Sequence, residues 1–293
     1  GIDLDAAKPA FAVRRASKVG ATYIAWSPDS ESISWSVGAE FKTANINTLM
    51  NGDYATPATG NNLSMQVAHA IPSTAVALTN ARVITMDDER AVIENATVLI
   101  KGNRIESIAR GTAVPEDYTE IDLAGKTIMP GIIDAHAHGP YAGDDIIPQQ
   151  NWNLLAHLAL GVTTVHNPSS SAKSAFAAAE YARTDRILGP RIFSTGEIVY
   201  GAKSTSWAPI DNLDDALAHV RRLAAQGAIS VKNYNQPRRE QRQQLIEAAR
   251  QEGLISVAEG GSLYQLDMSM IADGIKVRLG HLPTPLEPMD RLS

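Results

Sequence analysis

From residue 131 onward the chain alternates between short β-branched runs and helical stretches, and this alternation constrains the fold more than any other feature. Residues 162–165 (Val-Thr-Thr-Val) form a first run and residues 170–183 an Ala-rich helix. Residues 191–194 read as the next strand. Leu213, Ala216, Leu217, Val220, Leu223 and Ala224 then recur at helical spacing, and Gly227 closes that helix. Residues 228–232 are a strand, Pro237 opens a helix at its first position, Gly253 closes it, and residues 254–258 are the next strand. Strand, helix, strand at this spacing predicts right-handed βαβ units and a parallel sheet, closed as a barrel or left open. The upstream sequence is different. Residues 75–130 alternate in period two between Gly-containing turns, which predicts a small antiparallel β unit without a full-sized core of its own. Residues 47–74, rich in Asn, Gly, Thr, Ser and Pro, read as a linker. Residues 21–46 read as short strands about the turn Ser27-Pro28-Asp29-Ser30.

Composition removes several function classes. The 293 residues carry 26 Lys and Arg against 32 Asp and Glu, with no basic block, so electrostatic nucleic-acid binding is not expected. No uncharged apolar run reaches the ~18–20 residues a membrane helix needs. The chain has no cysteine, so disulfides, thiolate-bound zinc and cysteine nucleophiles are excluded. A metal would have to be held by His, Asp, Glu or a modified Lys. The sequence starts at Gly1 with no charged segment leading into an apolar one, and it is read as part of a longer protein.

Chemistry concentrates in residues 130–139, Pro-Gly-Ile-Ile-Asp-Ala-His-Ala-His-Gly. An apolar strand here would carry His136 and His138 at its C-terminal end. Side chains two apart on a strand share a face, so both imidazoles can converge on one ion. The other reading is a pair of ordinary histidines. Lys232 stands at the C-terminal end of another strand, where active-site groups of βα barrels sit. By spacing alone it is either a solvated strand-end lysine, a partner for a substrate carboxylate, or part of a metal site. Glu259 ends the following strand and can be a ligand, a general base or a turn carboxylate beside two glycines. His166, following the second strand, could face the site from a strand C-terminus but is read as a loop histidine, and His157 and His219 fall on helical patterns; none is counted as a ligand.

Taken in order, several of these stretches resemble the metal-dependent amidohydrolase superfamily: Ala81-Arg82-Val83-Ile84, Lys101-Gly102-Asn103-Arg104-Ile105, residues 123–131, the His136-Ala137-His138 motif and Gly161-Val162-Thr163-Thr164-Val165. The resemblance runs from residue 77 to about 262. It implies an α/β fold, here an incomplete TIM-type barrel over residues 131–293, with residues 75–130 as a small β-sandwich. The aromatic-Ser-Pro-Asp-Ser turn resembles a TolB-like β-propeller, so residues 1–46 would be a remnant propeller blade of a propeller–amidohydrolase fusion. By the same resemblance His136 and His138 hold a first divalent ion, zinc above all, and Lys232, carboxylated by CO2, bridges to a second ~3.5–4 Å away. Glu259 stands where relatives carry a strand-five histidine, and His281 is the strand-six ligand by order. Tyr234 and Arg238 would contact substrate. The strand-eight Asp that serves as general base has no counterpart here, so the catalytic base is unassigned and the chain by itself is expected to be inert.

The function this implies is hydrolysis of amide or other C–N bonds in a small molecule or dipeptide, by metal-activated water attacking a carbonyl. The rival reading is a propeller–barrel binding or scaffold protein that has lost catalysis, with Glu259 as its symptom. A nucleotide-binding open sheet is disfavoured because no Gly-Xaa-Gly phosphate loop follows the strands. Propeller fusions of this kind resemble exported bacterial proteins, which leans the expected compartment to the periplasm.

Overall fold

The computed structural model describes residues 10–51, 60–143, 146–202, 208–259 and 264–275. Its first unit is a four-stranded antiparallel sheet in the order β1 (Thr22–Trp26), β2 (Ser32–Val37), β3 (Glu40–Asn45) and β4 (Asn61–Asn62). The Pro-containing turn joins β1 to β2 as expected, held by Ser30 N donating to the Ser27 carbonyl at 2.9 Å. Helix α1 (Ile46–Met50) follows, capped by the Asn45 side chain, which accepts from Asn47 N and Thr48 N. Trp35, Val37, Ala44 and Leu49 bury a small core. β4 lies within the stretch read as a linker and adds to this sheet. The β2–β3 turn rests on a later helix: a Cβ at Gly38, whose φ is +56°, would lie 2.0 Å from the Ala225 carbonyl oxygen. Only glycine fits that turn and that approach together.

The second unit is a five-stranded sheet built on β5 (Ala75–Ile84), with β6 (Val92–Lys101), β7 (Arg104–Arg110), β8 (Thr119–Asp122) and β9 (Thr127–Ile128). β5, β6 and β7 form an antiparallel meander, but β8 and β9 pair parallel to β5, so the antiparallel expectation is corrected to a mixed sheet. The reason is the connection after β7. Residues 111–118 carry the chain back across the sheet, so it re-enters beside β5 from the same end. Period-two patterning reports burial of a face and is blind to strand direction. Ala81, Val83, Ala96 and Val98, with Ile100, Ile108 and Leu123 against them, give the unit a modest core of its own.

The third unit is the predicted α/β series. A parallel sheet β10 (Ile132–Asp134), β11 (Val162–Asn167), β12 (Arg191–Ser194) is followed by a parallel pair β13 (Ser230–Asn233), β14 (Ile255–Ala258). Helices α2 (Trp152–Ala159), α3 (Ala172–Arg183), α4 (Leu213–Gln226) and α5 (Arg239–Gln251) connect them, and α6 (Tyr264–Ala272) follows β14. Asn151 and Asn212 cap α2 and α4 through their side-chain oxygens. Ser171 makes no such bond for α3, and Glu197 accepts from Ala172 N at 2.9 Å instead. Gly227 takes φ +111° at the C-cap of α4, the left-handed stop expected of it. Pro237 does not open α5: the helix begins at Arg239, where the Gln241 side chain accepts from Arg238 N at 3.1 Å. The outward faces of β13 and β14 meet α4 and α5 over Val199, Val220, Leu223, Val231, Leu245 and Ala248, none of which is accessible to solvent.

The two sheets of this unit meet at a narrow seam. Val199 N donates to the Lys232 carbonyl at 3.0 Å and Tyr234 N to the Val199 carbonyl at 3.2 Å, a single parallel bridge. The Gln236 carboxamide extends it, accepting from Gly201 N and donating to the Val199 carbonyl, both at 2.7 Å. Five parallel strands are thus described, and the sheets are not closed into a barrel. A sixth strand and His281 fall outside the described residues. Among the described residues no helix is long and apolar enough to cross a membrane.

Candidate functional site

The chemically active side chains gather at the C-terminal ends of the parallel strands. His136 and His138 do not sit on a strand. β10 ends at Asp134, whose carboxylate accepts from His136 N at 3.0 Å and turns the chain. The rule that residues two apart on a strand share a face therefore does not bring these rings together. They meet all the same, edge to face, with centroids 5.0 Å apart. What holds the turn is β11: Ala137 N donates to the His166 carbonyl at 3.0 Å. His136 is exposed as a residue, yet partial covering of its ring, with the charge of Lys232 second, holds its pKa below the ordinary histidine value. A neutral imidazole with a free lone pair results, the state a metal ligand needs.

Lys232 is the largest polar side chain sealed in the interior, 1% exposed. Its ammonium is paired with the carboxylate of Glu259, which remains about one-third exposed. Register explains the pairing: Lys232 lies beside Val257, and Glu259 is two residues further along that edge, on the same face. The fields of Lys232, His138, Glu259 and Asp134 all reach His136, so these groups share one neighbourhood.

Sequence reasoning misjudged His166. It is not a loop residue after the strand but part of β11, 7% exposed, with both ring nitrogens engaged. Nδ1 lies 3.3 Å from the Ala135 carbonyl oxygen and Nε2 2.8 Å from Ser230 Oγ. Burial pushes its pKa below the usual value. No period-two signal marked it, since Thr164 to Asn167 are all buried whatever their parity. His157 and His219 sit on helices as expected, contacting the Asn153 and Ala208 carbonyls.

The two residues read as substrate contacts both have partners within the protein. Tyr234 stacks edge-on against Tyr200 at 5.7 Å. Arg238 donates to the Ile210 carbonyl at 3.2 Å and reaches Asp211 at 3.4 Å, beside an open groove of about 280 Å³ that Gly201, Pro209 and Gln241 also line.

The donor set suits a divalent ion in part. His136 and His138 offer two imidazole rings without hydrogen-bond partners among the described residues. Lys232, as an ammonium, is no donor. Among the described residues no group of three or more His, Asp or Glu side chains converges as a ligand set.

A parallel α/β sheet with imidazoles, a lysine and a carboxylate at its strand ends is the class of architecture these features define. Its neighbours among solved structures include proteins described as an amidohydrolase and as prolidases. One described as an amidohydrolase superposes with a TM-score of 0.56 at 18% identity, covering 69% of this chain and 60% of that one. A prolidase solved with N-methylphosphonate-L-proline superposes at 0.55 with 19% identity, over 69% of this chain and 60% of that one. In sequence, 168 residues are 28% identical to imidazolonepropionase of Paracoccus denitrificans (strain Pd 1222), spanning 53% of this chain and 41% of that protein. The matched region is thus less than half of that relative's length. No family model matches the chain.

Proposed function

We propose that the protein to which this chain belongs is a metal-dependent hydrolase of C–N bonds in small amides, cyclic amides or dipeptides. The observation that carries this reading is the meeting of His136 and His138 at 5.0 Å beside buried Lys232, at the end of the sheet where βα folds place their chemistry. The imidazolonepropionase and prolidase likenesses support the substrate class. His136 and His138 would hold one divalent ion, zinc above all. Such an ion, when bound, polarises a carbonyl and brings the pKa of water toward neutrality.

The chain's own residues set the conditions. The depressed pKa of His136 leaves its nitrogen unprotonated near neutrality. Lys232 places a positive charge at the strand ends, and Glu259 neutralises it. For Lys232 to become a carbamate, Nζ must first lose its proton and part from Glu259, because an ammonium has no lone pair with which to attack CO2. Glu259 in this reading is the partner that holds the ammonium until a stronger one arrives. His281, read as a further ligand, and a TolB-like blade at residues 1–46 belong to the same proposal.

The Lys232–Glu259 pair also favours a second reading, a binding or scaffold protein in which that ion pair has replaced a metal. Elemental analysis separates the two. Stoichiometric zinc in the chain, lost in a His136→Ala/His138→Ala variant, supports the hydrolase and directs assays to amides and dipeptides on a longer chain. A folded chain that stays empty in zinc, and a longer chain equally empty, supports the scaffold.

A further inference from the structure

We propose that His166 is a positioning residue: a neutral imidazole, protonated at Nδ1, that holds the turn bearing His136 and His138 through Ala135 and is itself braced on the strand bearing Lys232. The inference rests on the hydrolase reading for its consequence, though not for its geometry. The Ala135 carbonyl can only accept, so Nδ1, 3.3 Å away, carries the proton and donates. Nε2 then holds a lone pair and accepts from the Ser230 hydroxyl at 2.8 Å. These two contacts reach different parts of the site. Ala135 lies between Asp134 and His136, and Ser230 is two residues before Lys232 on the same face of β13. β11 and β13 belong to different sheets, so the bond to Ser230 links the two sheets rather than a pair of neighbouring strands.

The backbone of His166 adds a third tie, its carbonyl accepting from Ala137 N at 3.0 Å. The peptide units on either side of His136 are thus both anchored to this one residue. With each ring nitrogen engaged by protein and the side chain 7% exposed, His166 orients ligands and is not itself one. A support of this kind costs roughly 10–100-fold in metal affinity when removed.

The test uses the full chain and has two readouts. Imidazole ¹⁵N spectra taken above the ordinary histidine range report the tautomer directly. The Nδ1–H form is expected for His166, and the Nε2–H form overturns the proposal. Cobalt(II) titration, followed by its visible spectrum, is then compared among parent, H166L, H166N and H166Q. The Asn amide reaches where Nδ1 stood and the Gln amide where Nε2 stood. H166L and H166Q are expected to weaken cobalt binding by roughly 10–100-fold, with H166N restoring most of it. Parent affinity in a folded H166L, or H166N no better than H166L, overturns the proposal. If H166L fails to fold, the contrast between H166N and H166Q carries the test. If the parent takes up no cobalt, the hydrolase reading passes to the longer chain, and the positioning role is judged without metal. The effect of H166N and H166Q on the His136 and His138 ring resonances then decides: larger shifts in H166Q sustain the positioning role, and equal or absent shifts overturn it.

Discussion

The two ends of the parallel sheet are built alike and sit in opposite surroundings. At one end, β13 lies between β14 and the seam, is roofed by α4 and α5, and carries Lys232 at 1% exposure. At the other, β10 is hydrogen-bonded only to β11 among the described residues, and Ile132 and Ile133 remain 50% and 49% exposed. The apolar strand is the more open and the lysine-bearing strand the more buried. What buries a residue here is the number of neighbours its strand has, rather than its own hydrophobicity. The histidine pair is consequently held by a few backbone bonds to β11, and the lysine by a packed core.

The comparison can be broken by substitution. Leu245→Ala, in the core behind β13, is expected to destabilise the chain by about 3 kcal/mol, read from the urea midpoint. A loss below about 1 kcal/mol would mean that this end is no better packed than β10. Glu259→Leu leaves the buried ammonium of Lys232 alone and is expected to cost about 2 kcal/mol, reduced from a fully buried pair because Glu259 is partly exposed. Lys232→Met should cost less, since Glu259 can turn to water. The reverse order would show that the carboxylate is the more deeply held partner.

Acid sharpens the contrast. Asp273, after α6, is held at about 2 by its hydrogen bond to Arg239, with Arg242 and Gln243 adding to it. Its folded pKa lies below the ordinary 3.8, so its contribution is complete above that value and is lost as pH falls from 3.8 through about 2. The clasp of α6 on α5 should loosen in that window, seen as faster amide exchange in α6, and Asp273→Asn should loosen it at every pH. His166 works in another range. Its folded pKa is lowered below 6.5, so the unfolded chain binds the proton first. Stability is full above 6.5 and declines as pH falls from there toward the folded value, and H166L should flatten that slope. The smallest effect belongs to the exposed end: Ile133→Ala should cost under about 1 kcal/mol, because half its surface already meets water.

Sequence reading recovered the α/β unit well because its signals are local. Short β-branched runs, the helical spacing of Leu213 to Ala224 and the αL stop at Gly227 each act within a few residues. The direction of β8 and β9 was not legible, since pairing with β5 depends on where residues 111–118 return the chain. The histidine pair was found for a reason the structure replaces: an Asp134 turn, not a strand face, brings the rings together. His166 was passed over because its two side-chain partners, Ala135 and Ser230, lie 31 and 64 residues away, beyond any local pattern. Lys232 was singled out by position, while its pairing with Glu259 needed the register of β13 on β14.

The seam between the two sheets has a consequence for how such a site can change over generations. Where adjacent strands are normally stitched by main chain alone, here the Gln236 carboxamide stands in for a peptide group, accepting from Gly201 and donating to Val199. Main-chain stitches are the same whatever the codon. A stitch made by a side chain is inherited and can be altered by one substitution. The stiffness of the joint between the histidine half and the lysine half is therefore a heritable setting, adjustable without disturbing either half.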